Sequence, residues 1–402
     1  MNGVSQFSLA KPFAKVICLL VLALLAVPAY AQEDDAQNMQ PAAVPDSVPE
    51  DFVIASLLIS EPGGVLYSQL GHAAIRMQCP VRNLDYVFTY ESEGAASKVL
   101  RFFAGKLKMG MLAIPSDLFI SLCEKANRNV DEYTLNLPVE VRRNLWRVLD
   151  VHLEEGINLP YNYLDRGCAY SALSMIKEGL DTIAINYGDW PDEYNLSRRE
   201  IGHNALSDNK WTRCFMHLVC NGKIDASCTN VEKVIIPTQL VSVLSDATVC
   251  GRQLLSPNGR KLTGCTSPKA VNRCLSPVAV AVVLLVLSVI CGALGHSWIE
   301  YLLLALQTAL GVVTVYLVFL SDLVCTEWSW LIIPFNPLPL LLWKWRRNWC
   351  LPYAVILFVW SGFMFFWPHR LTDDAYILLA LSIAISYICL FFKTHAIAYG
   401  GK

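Results

Sequence analysis

Two stretches decide how this chain is read: Leu66-Tyr67-Ser68-Gln69-Leu70-Gly71-His72-Ala73-Ala74-Ile75-Arg76 and Tyr161-Asn162-Tyr163-Leu164-Asp165-Arg166-Gly167-Cys168. The first puts a histidine at the start of an apolar strand, directly after a glycine. The second puts a cysteine where a helix begins. A helix N-terminus presents unpaired N–H groups and a partial positive charge, and both favour a thiolate. Cysteines at such ends titrate at roughly 3.5–7.5, against ~8.5 for a free thiol. A neutral histidine nearby can take the proton and complete a nucleophile–base pair. Cys168 is therefore the candidate nucleophile and His72 its base. The competing readings are structural: an exported cysteine is more often half of a disulfide, and a strand histidine is more often packed or exposed than reactive.

Outward from these motifs, residues 51–185 alternate strand and helix patterns. Strands are expected at Val53–Ile59, His72–Met77, Asp85–Tyr90 and Asp131–Leu137, the second and third joined as a hairpin. Helices are expected at Pro138–Glu155 and Cys168–Glu178, each stopping before a glycine. The mixture indicates an α+β domain. Beyond Ile185 the pattern supports no assignment. Pairing across the hairpin points to Tyr90 as the residue that orients His72, with Asp85 second. Among the remaining histidines, His296, His369 and His395 sit at the ends of apolar stretches and His152 on a helix face, leaving His203 and His217 unassigned.

The chain has 402 residues, of which 54% are hydrophobic and 16% charged. Nearly all the apolar excess lies before Ala31 or after Ser276, so the middle reads as one globular domain. The net charge is −2 with no long basic run, and nucleic acid is not an expected partner. Residues 1–31 have the form of an export signal: Lys11 and Lys15, the apolar run Val16–Val27, then Ala29-Tyr30-Ala31. Residues 32–50 are acidic and rich in Pro, Ala and Gln, as in a flexible tether. The exported domain then covers 51–275 and a membrane domain 276–402. Of fourteen cysteines, nine fall in the exported domain. One working thiol leaves an even number, which predicts disulfides in an oxidising compartment. Cys214, Cys220 and Cys228 lack the spacing of a zinc knuckle, and neither a metal nor another cofactor is expected.

Five apolar stretches follow, at Pro277–Leu294, Ile299–Leu320, Ser329–Trp343, Leu351–Trp367 and Ala375–Phe392. A helical crossing takes about 17–25 such residues, so the third is marginal. It also carries Pro334, Asn336, Pro337 and Pro339, which predict a kinked, broken or re-entrant segment. Asn336 is expensive in hydrocarbon unless its surroundings are protein or a cavity, and it is expected to line the lipid-facing approach to Cys168. Five crossings that begin outside put Lys344-Trp345-Arg346-Arg347 and the tail from Lys393 in the cytoplasm, as the positive-inside rule requires. Arg260, Lys261, Lys269 and Arg273 then lie outside, against that rule.

The glycine–histidine motif resembles the first motif of circularly permuted papain-like domains of the NlpC and lecithin:retinol acyltransferase group. More closely, the chain resembles the Bacteroidota-type apolipoprotein N-acyltransferases. Phe103-Ala104-Gly105-Lys106-Leu107, Arg128-Asn129-Val130-Asp131-Glu132-Tyr133-Thr134-Leu135-Asn136-Leu137 and the Tyr-rich run into Cys168 carry that resemblance. So do Trp328-Ser329-Trp330-Leu331 and Phe335-Asn336-Pro337-Leu338-Pro339-Leu340. It implies a permuted papain-like periplasmic domain on an α-helical membrane bundle of about five segments, in the bacterial inner membrane. It also implies acyl transfer from a phospholipid, through a Cys168 thioester, to the α-amine of a diacylglyceryl-cysteine lipoprotein. Tyr163, Gly167 and Asn336 are the substrate-binding candidates. One departure stands out: such domains usually carry Asn immediately before the cysteine, and here that residue is Gly167. Two rival readings remain, a cell-wall cysteine peptidase or amidase and a non-catalytic lipid- or lipoprotein-binding membrane module.

Overall fold

A computed structural model describes residues 53–64, 68–93, 98–190, 192–265, 275–324, 326–367, 369 and 371–399. The expected signal and tether, together with Leu66, Tyr67, Lys269, Arg273 and Cys274, lie outside the described residues. The N-terminal domain is built on strands β1 (Ile54–Ser60), β2 (His72–Cys79), β3 (Leu84–Ser92), β4 (Lys108–Pro115), β5 (Val130–Thr134), β6 (Leu159–Pro160) and β7 (Arg260–Lys261). They form one antiparallel sheet in the order β6-β4-β3-β2-β1-β5-β7. The β2–β3 hairpin forms as the sequence predicts, and Ile75 pairs with Phe88. Strand β4 was not expected, because Lys108-Met109-Gly110-Met111-Leu112-Ala113-Ile114-Pro115 has no polar–apolar alternation and no run of β-branched residues.

The sheet is covered on both faces. Ala73, Ile75, Met77 and Phe88 pack with helices α3 (Val139–Glu154) and α4 (Cys168–Leu180), while Ala74 and Val87 pack with α2 (Ser116–Lys125). In α3 the buried residues Val141, Leu145 and Leu149 recur every four positions, which gives one apolar stripe toward the sheet. Beyond Ile185 the chain forms helices α5 (Arg198–Ala205), α6 (Lys210–Val219) and α7 (Pro237–Ser245).

Disulfides were expected, but the described cysteines are all free thiols. The physical reason is their placement: Cys123, Cys214 and Cys220 lie in three separate apolar clusters. There they act as small hydrophobic side chains.

The C-terminal part is a bundle of α8 (Pro277–Ala293), α9 (Trp298–Leu320), α11 (Arg346–Phe366) and α12 (Asp374–Tyr399). Three of its helices are long and apolar enough to cross a membrane, those within 298–320, 343–366 and 374–395; α8 is shorter. The third apolar stretch is broken, as its prolines require. It consists of a 3-10 turn (Trp330–Ile332), the short helix α10 (Leu338–Leu341) and a second 3-10 turn (Trp343–Trp345). The carbonyls it frees are taken up inside the bundle. Gln307 donates to the Pro334 carbonyl (2.8 Å) and Tyr353 to that of Ile333 (2.6 Å). Tyr387 in turn donates to Gln307.

The two parts meet at a short helix, α1 (Val99–Phe103), and the end of α9. The Ser321 hydroxyl donates to the Phe103 carbonyl (2.5 Å) and the Asp322 N–H to that of Ala104 (3.2 Å). Gly105 has φ +69°, and a Cβ there would lie 2.1 Å from the Asp322 carbonyl carbon. Only glycine permits this approach. Further contacts come from Arg213, which pairs with Asp373 (3.0 Å), and from Tyr376, which donates to the Cys214 carbonyl (3.0 Å). Gly105→Ala is expected to destabilise the protein by about 1–3 kcal/mol, through left-handed backbone strain and overpacking. Thermal unfolding of the detergent-solubilised protein checks this, with Gly264→Ala, whose Cβ meets nothing within 4 Å, as the control.

Candidate active site

Local geometry sets both candidate residues. Gly71 ends the turn into β2 at φ +80°, and a Cβ on it would sit 2.8 Å from the Ser60 carbonyl oxygen. A glycine before His72 is thus a packing requirement, and it lets the histidine begin the strand at the end of the sheet. Gly167 is the N-cap of α4 with extended backbone (φ −59°, ψ 155°), which makes Cys168 the first helical residue. A Cβ at Gly167 would come within 3.0 Å of the Tyr163 carbonyl oxygen, a tight contact that a larger residue would meet by shifting the turn a few tenths of an ångström.

The structure brings the Cys168 thiol beside the His72 imidazole, close enough for each to shift the other's proton affinity, with the Ala73 N–H also acting on the sulfur. Burial disfavours charge on His72, but the adjacent Cys168 and Glu91 outweigh it and raise its pKa to about 9. Burial likewise pushes the Cys168 thiol up, and contact with His72 and the Ala73 N–H more than reverses this, so its pKa is lowered. The pair therefore favours thiolate and imidazolium. Other thiols move the opposite way. Burial raises Cys123, takes Cys214 to about 12 and takes Cys220 to about 11.

The residues that hold His72 are neighbours of the one expected. Its Nε2 lies 2.5 Å from Thr89 Oγ1 and 3.4 Å from Glu91 Oε1. With Nε2 so engaged, Nδ1 is the nitrogen left for the thiol. Tyr90 is directed to the other face of β3, where its hydroxyl meets His152 Nδ1 at 3.0 Å, and His152 Nε2 lies 3.0 Å from Glu178. The physical reason is strand alternation: Thr89 and Glu91 share a face, and Tyr90 lies between them on the opposite one. Asp85, the second choice, pairs with Arg76 (2.5 Å) and accepts from Ser116 (2.5 Å), away from the histidine.

Tyr163 stands at the junction of the two parts and donates its hydroxyl to the Val324 carbonyl (2.8 Å). Asn336 is inside the bundle. Its amide donates to the carbonyls of Ile332 (3.1 Å) and Ile333 (3.0 Å) and to the Tyr353 hydroxyl (2.8 Å), and its backbone rests on α9 at Gly311. It is not among the residues gathered around Cys168 and His72. A cleft of about 580 Å³ opens along α4 between Tyr170, Lys177 and Val231. It shares no residue with the small apolar hollow behind Cys168, which Ala73, Phe88, Tyr90 and Met111 line.

His203, His217 and Asp373 form the one group of metal-ligand type among the described residues, with donor atoms within 4.8 Å of one another. Two guanidiniums already engage it. Arg199 lies 3.1 Å from His217 Nδ1, and Arg213 pairs with Asp373 (3.0 Å). His203 Nδ1 and His217 Nε2 are 2.9 Å apart, so the group reads as a hydrogen-bonded relay joining α5, α6 and the start of α12.

Residues 43–191 match the family model of the Lnb N-terminal periplasmic domain. That span contains the sheet core, His72 and Cys168, and it defines a periplasmic module. The apolar helices that follow make the whole a membrane-associated protein. No curated protein and no solved structure matches the chain.

The pair sets a pH signature. Lowering of the Cys168 pKa means the thiolate persists below the ordinary thiol range and is lost only as pH falls further. Iodoacetamide labelling of Cys168 is expected to stay fast at pH 7. His72→Ala removes the stabilising cation and should slow it about tenfold or more at that pH, since each pKa unit is a factor of ten in thiolate. Mass spectrometry of the labelled peptide across pH 5–9 reads this. Thr89→Val, which takes the nearer of two contacts from His72 Nε2, is expected to lower turnover by about tenfold while Cys168 still labels, as a positioning role predicts.

Proposed function

We propose that this protein is a lipoprotein N-acyltransferase that uses Cys168 as nucleophile and His72 as its acid–base partner. The observation that carries the reading is the thiol–imidazole pair in a periplasmic module seated on the end of an apolar bundle. In the first step the thiolate attacks the ester carbonyl carbon of a phospholipid. The C–S bond forms, the C–O bond breaks, and the leaving alkoxide takes its proton from the His72 imidazolium. In the second step the α-amine of a diacylglyceryl-cysteine lipoprotein attacks the thioester. The C–N bond forms, the C–S bond breaks, the amine proton passes to His72 and the thiolate is restored. The oxyanion of both steps falls to backbone N–H groups, those of the first turn of α4, which have no partner within the helix. No asparagine side chain is then needed at position 167.

The membrane arrangement follows from the same reading. The starts of α8 and α12 and the ends of α9 and α11 lie toward the N-terminal domain, through Trp211 to Leu275 (2.9 Å), Arg213 to Asp373 (3.0 Å) and Glu200 to His369 (3.6 Å). At the far end Lys393 pairs with Glu300 (2.5 Å), and Lys344, Arg346 and Arg347 lie at or just before the start of α11, the end of that helix away from the N-terminal domain. On this reading the part from Ser276 onward crosses five times, with the broken segment making the third crossing, and the basic residues of the far end face the cytoplasm. Arg260, which opposes that rule, is neutralised by Glu132 (2.5 Å). A bundle beneath the thiol also supplies lipid and keeps water from the thioester, which a peptidase would not require.

The test is capture of the intermediate. Full-length protein in phospholipid nanodiscs without acceptor is expected to gain one acyl group on Cys168 by mass spectrometry, removable by hydroxylamine. Addition of a diacylglyceryl lipopeptide should discharge it as the N-acyl product, and Cys168→Ala should carry none. An unacylated Cys168 in the wild type would overturn the assignment.

A further inference from the structure

Helix α1 exposes what a soluble domain hides. Leu100 is 85% exposed and Val99 37%, on a helix whose remaining aromatic residues, Phe102 and Phe103, are half-buried. A single exposed leucine needs no explanation, but this one has a particular setting. Through Phe103–Gly105, α1 is bound to the end of α9, where Phe319 and Leu320 are 69% and 72% exposed. The apolar surface of the bundle thus continues onto α1 at the level where the bundle ends. Lys98, Arg101 and Lys106 flank it, and Glu93 pairs with the first two (2.8 and 3.0 Å). An apolar tip ringed by basic side chains suits the boundary between acyl chains and phosphate headgroups.

From α1 an aromatic path leads to the thiol. The Phe102 ring lies 6.0 Å from that of Tyr161, which is 6.2 Å from Tyr163; Phe102 also meets Phe103 at 5.5 Å. Tyr161 lies close enough to Cys168 to feel its charge, which together with burial, the larger effect, lifts the tyrosine to about 12. These rings are all half-buried.

We propose that α1 is the entry element for the acyl donor: Leu100 and Val99 dip into the outer leaflet, and the faces of Phe102 and Tyr161 guide one acyl chain of a phospholipid to Cys168. This rests on the acyltransferase reading above, but its lipid contact is measurable without turnover. Benzoylphenylalanine placed at position 100 of the full-length protein in phospholipid nanodiscs is expected to yield lipid adducts on irradiation. The same probe at Val151, 52% exposed on α3, should yield none. Absence of adducts at position 100 overturns the proposal, whatever the enzyme does. The second arm follows acylation of Cys168. Leu100→Glu is expected to slow acylation by phospholipid about tenfold more than acylation by water-soluble p-nitrophenyl acetate, because only the lipid must enter through the leaflet. Equal slowing of both overturns the entry role, and Val151→Glu should change neither. Adducts at position 100 in a wild type whose Cys168 is never acylated would uphold the lipid contact and defeat the acyltransferase reading alone.

Discussion

The proposed chemistry depends on an electrostatic bargain between two groups that burial would separately neutralise. Desolvation raises a thiol and lowers an imidazole, so either residue alone in this position would be uncharged at neutral pH. In contact, each supplies the counter-charge the other lacks, and the Ala73 N–H adds a fixed dipole at the sulfur. Cys214 and Cys220 show the outcome without a partner of this kind: burial leaves them inert thiols. The lowered pKa of Cys168 is therefore a property of the meeting of β2 and α4, not of the cysteine.

Three glycines bring that meeting to the membrane domain. Gly71 lets β2 begin against Ser60, Gly167 lets α4 begin against Tyr163, and Gly105 lets α1 lie on the Asp322–Leu323 peptide. Backbone contacts of this closeness admit few alternatives, and side-chain contacts such as Arg213 with Asp373 and Tyr163 with the Val324 carbonyl add to them. The bundle meets its own difficulty, a proline-broken segment, by internal hydrogen bonding from Gln307, Asn336, Tyr353 and Tyr387. Asn336 is costly in hydrocarbon, and the structure uses it as a donor to the carbonyls that the prolines release.

The cysteine count illustrates how composition misleads. An even number of exported cysteines suggested cross-links, yet the described thiols are free, Cys123, Cys214 and Cys220 lie in separate apolar clusters, and the domain has a sizeable apolar core. Chains of this size bury enough surface that disulfides are optional, unlike those of small secreted domains.

The sequence alone determined the candidate pair Cys168 and His72, the hairpin that carries His72, the helix that opens on Cys168 and the break in the third apolar stretch. Each is a local matter: a glycine beside a histidine, a helix start, closely spaced prolines. The residue that orients His72 was not legible, because choosing between Thr89, Tyr90 and Glu91 needs the pleat of β3, and one position of register reverses the face. Strand β4 was hidden by its lack of alternation, and it forms only because β3 offers an open edge. The path from α1 to Cys168 joins residues about sixty positions apart in the chain. Only the tertiary structure decided it, because ring contacts between distant segments leave no periodic trace in the sequence.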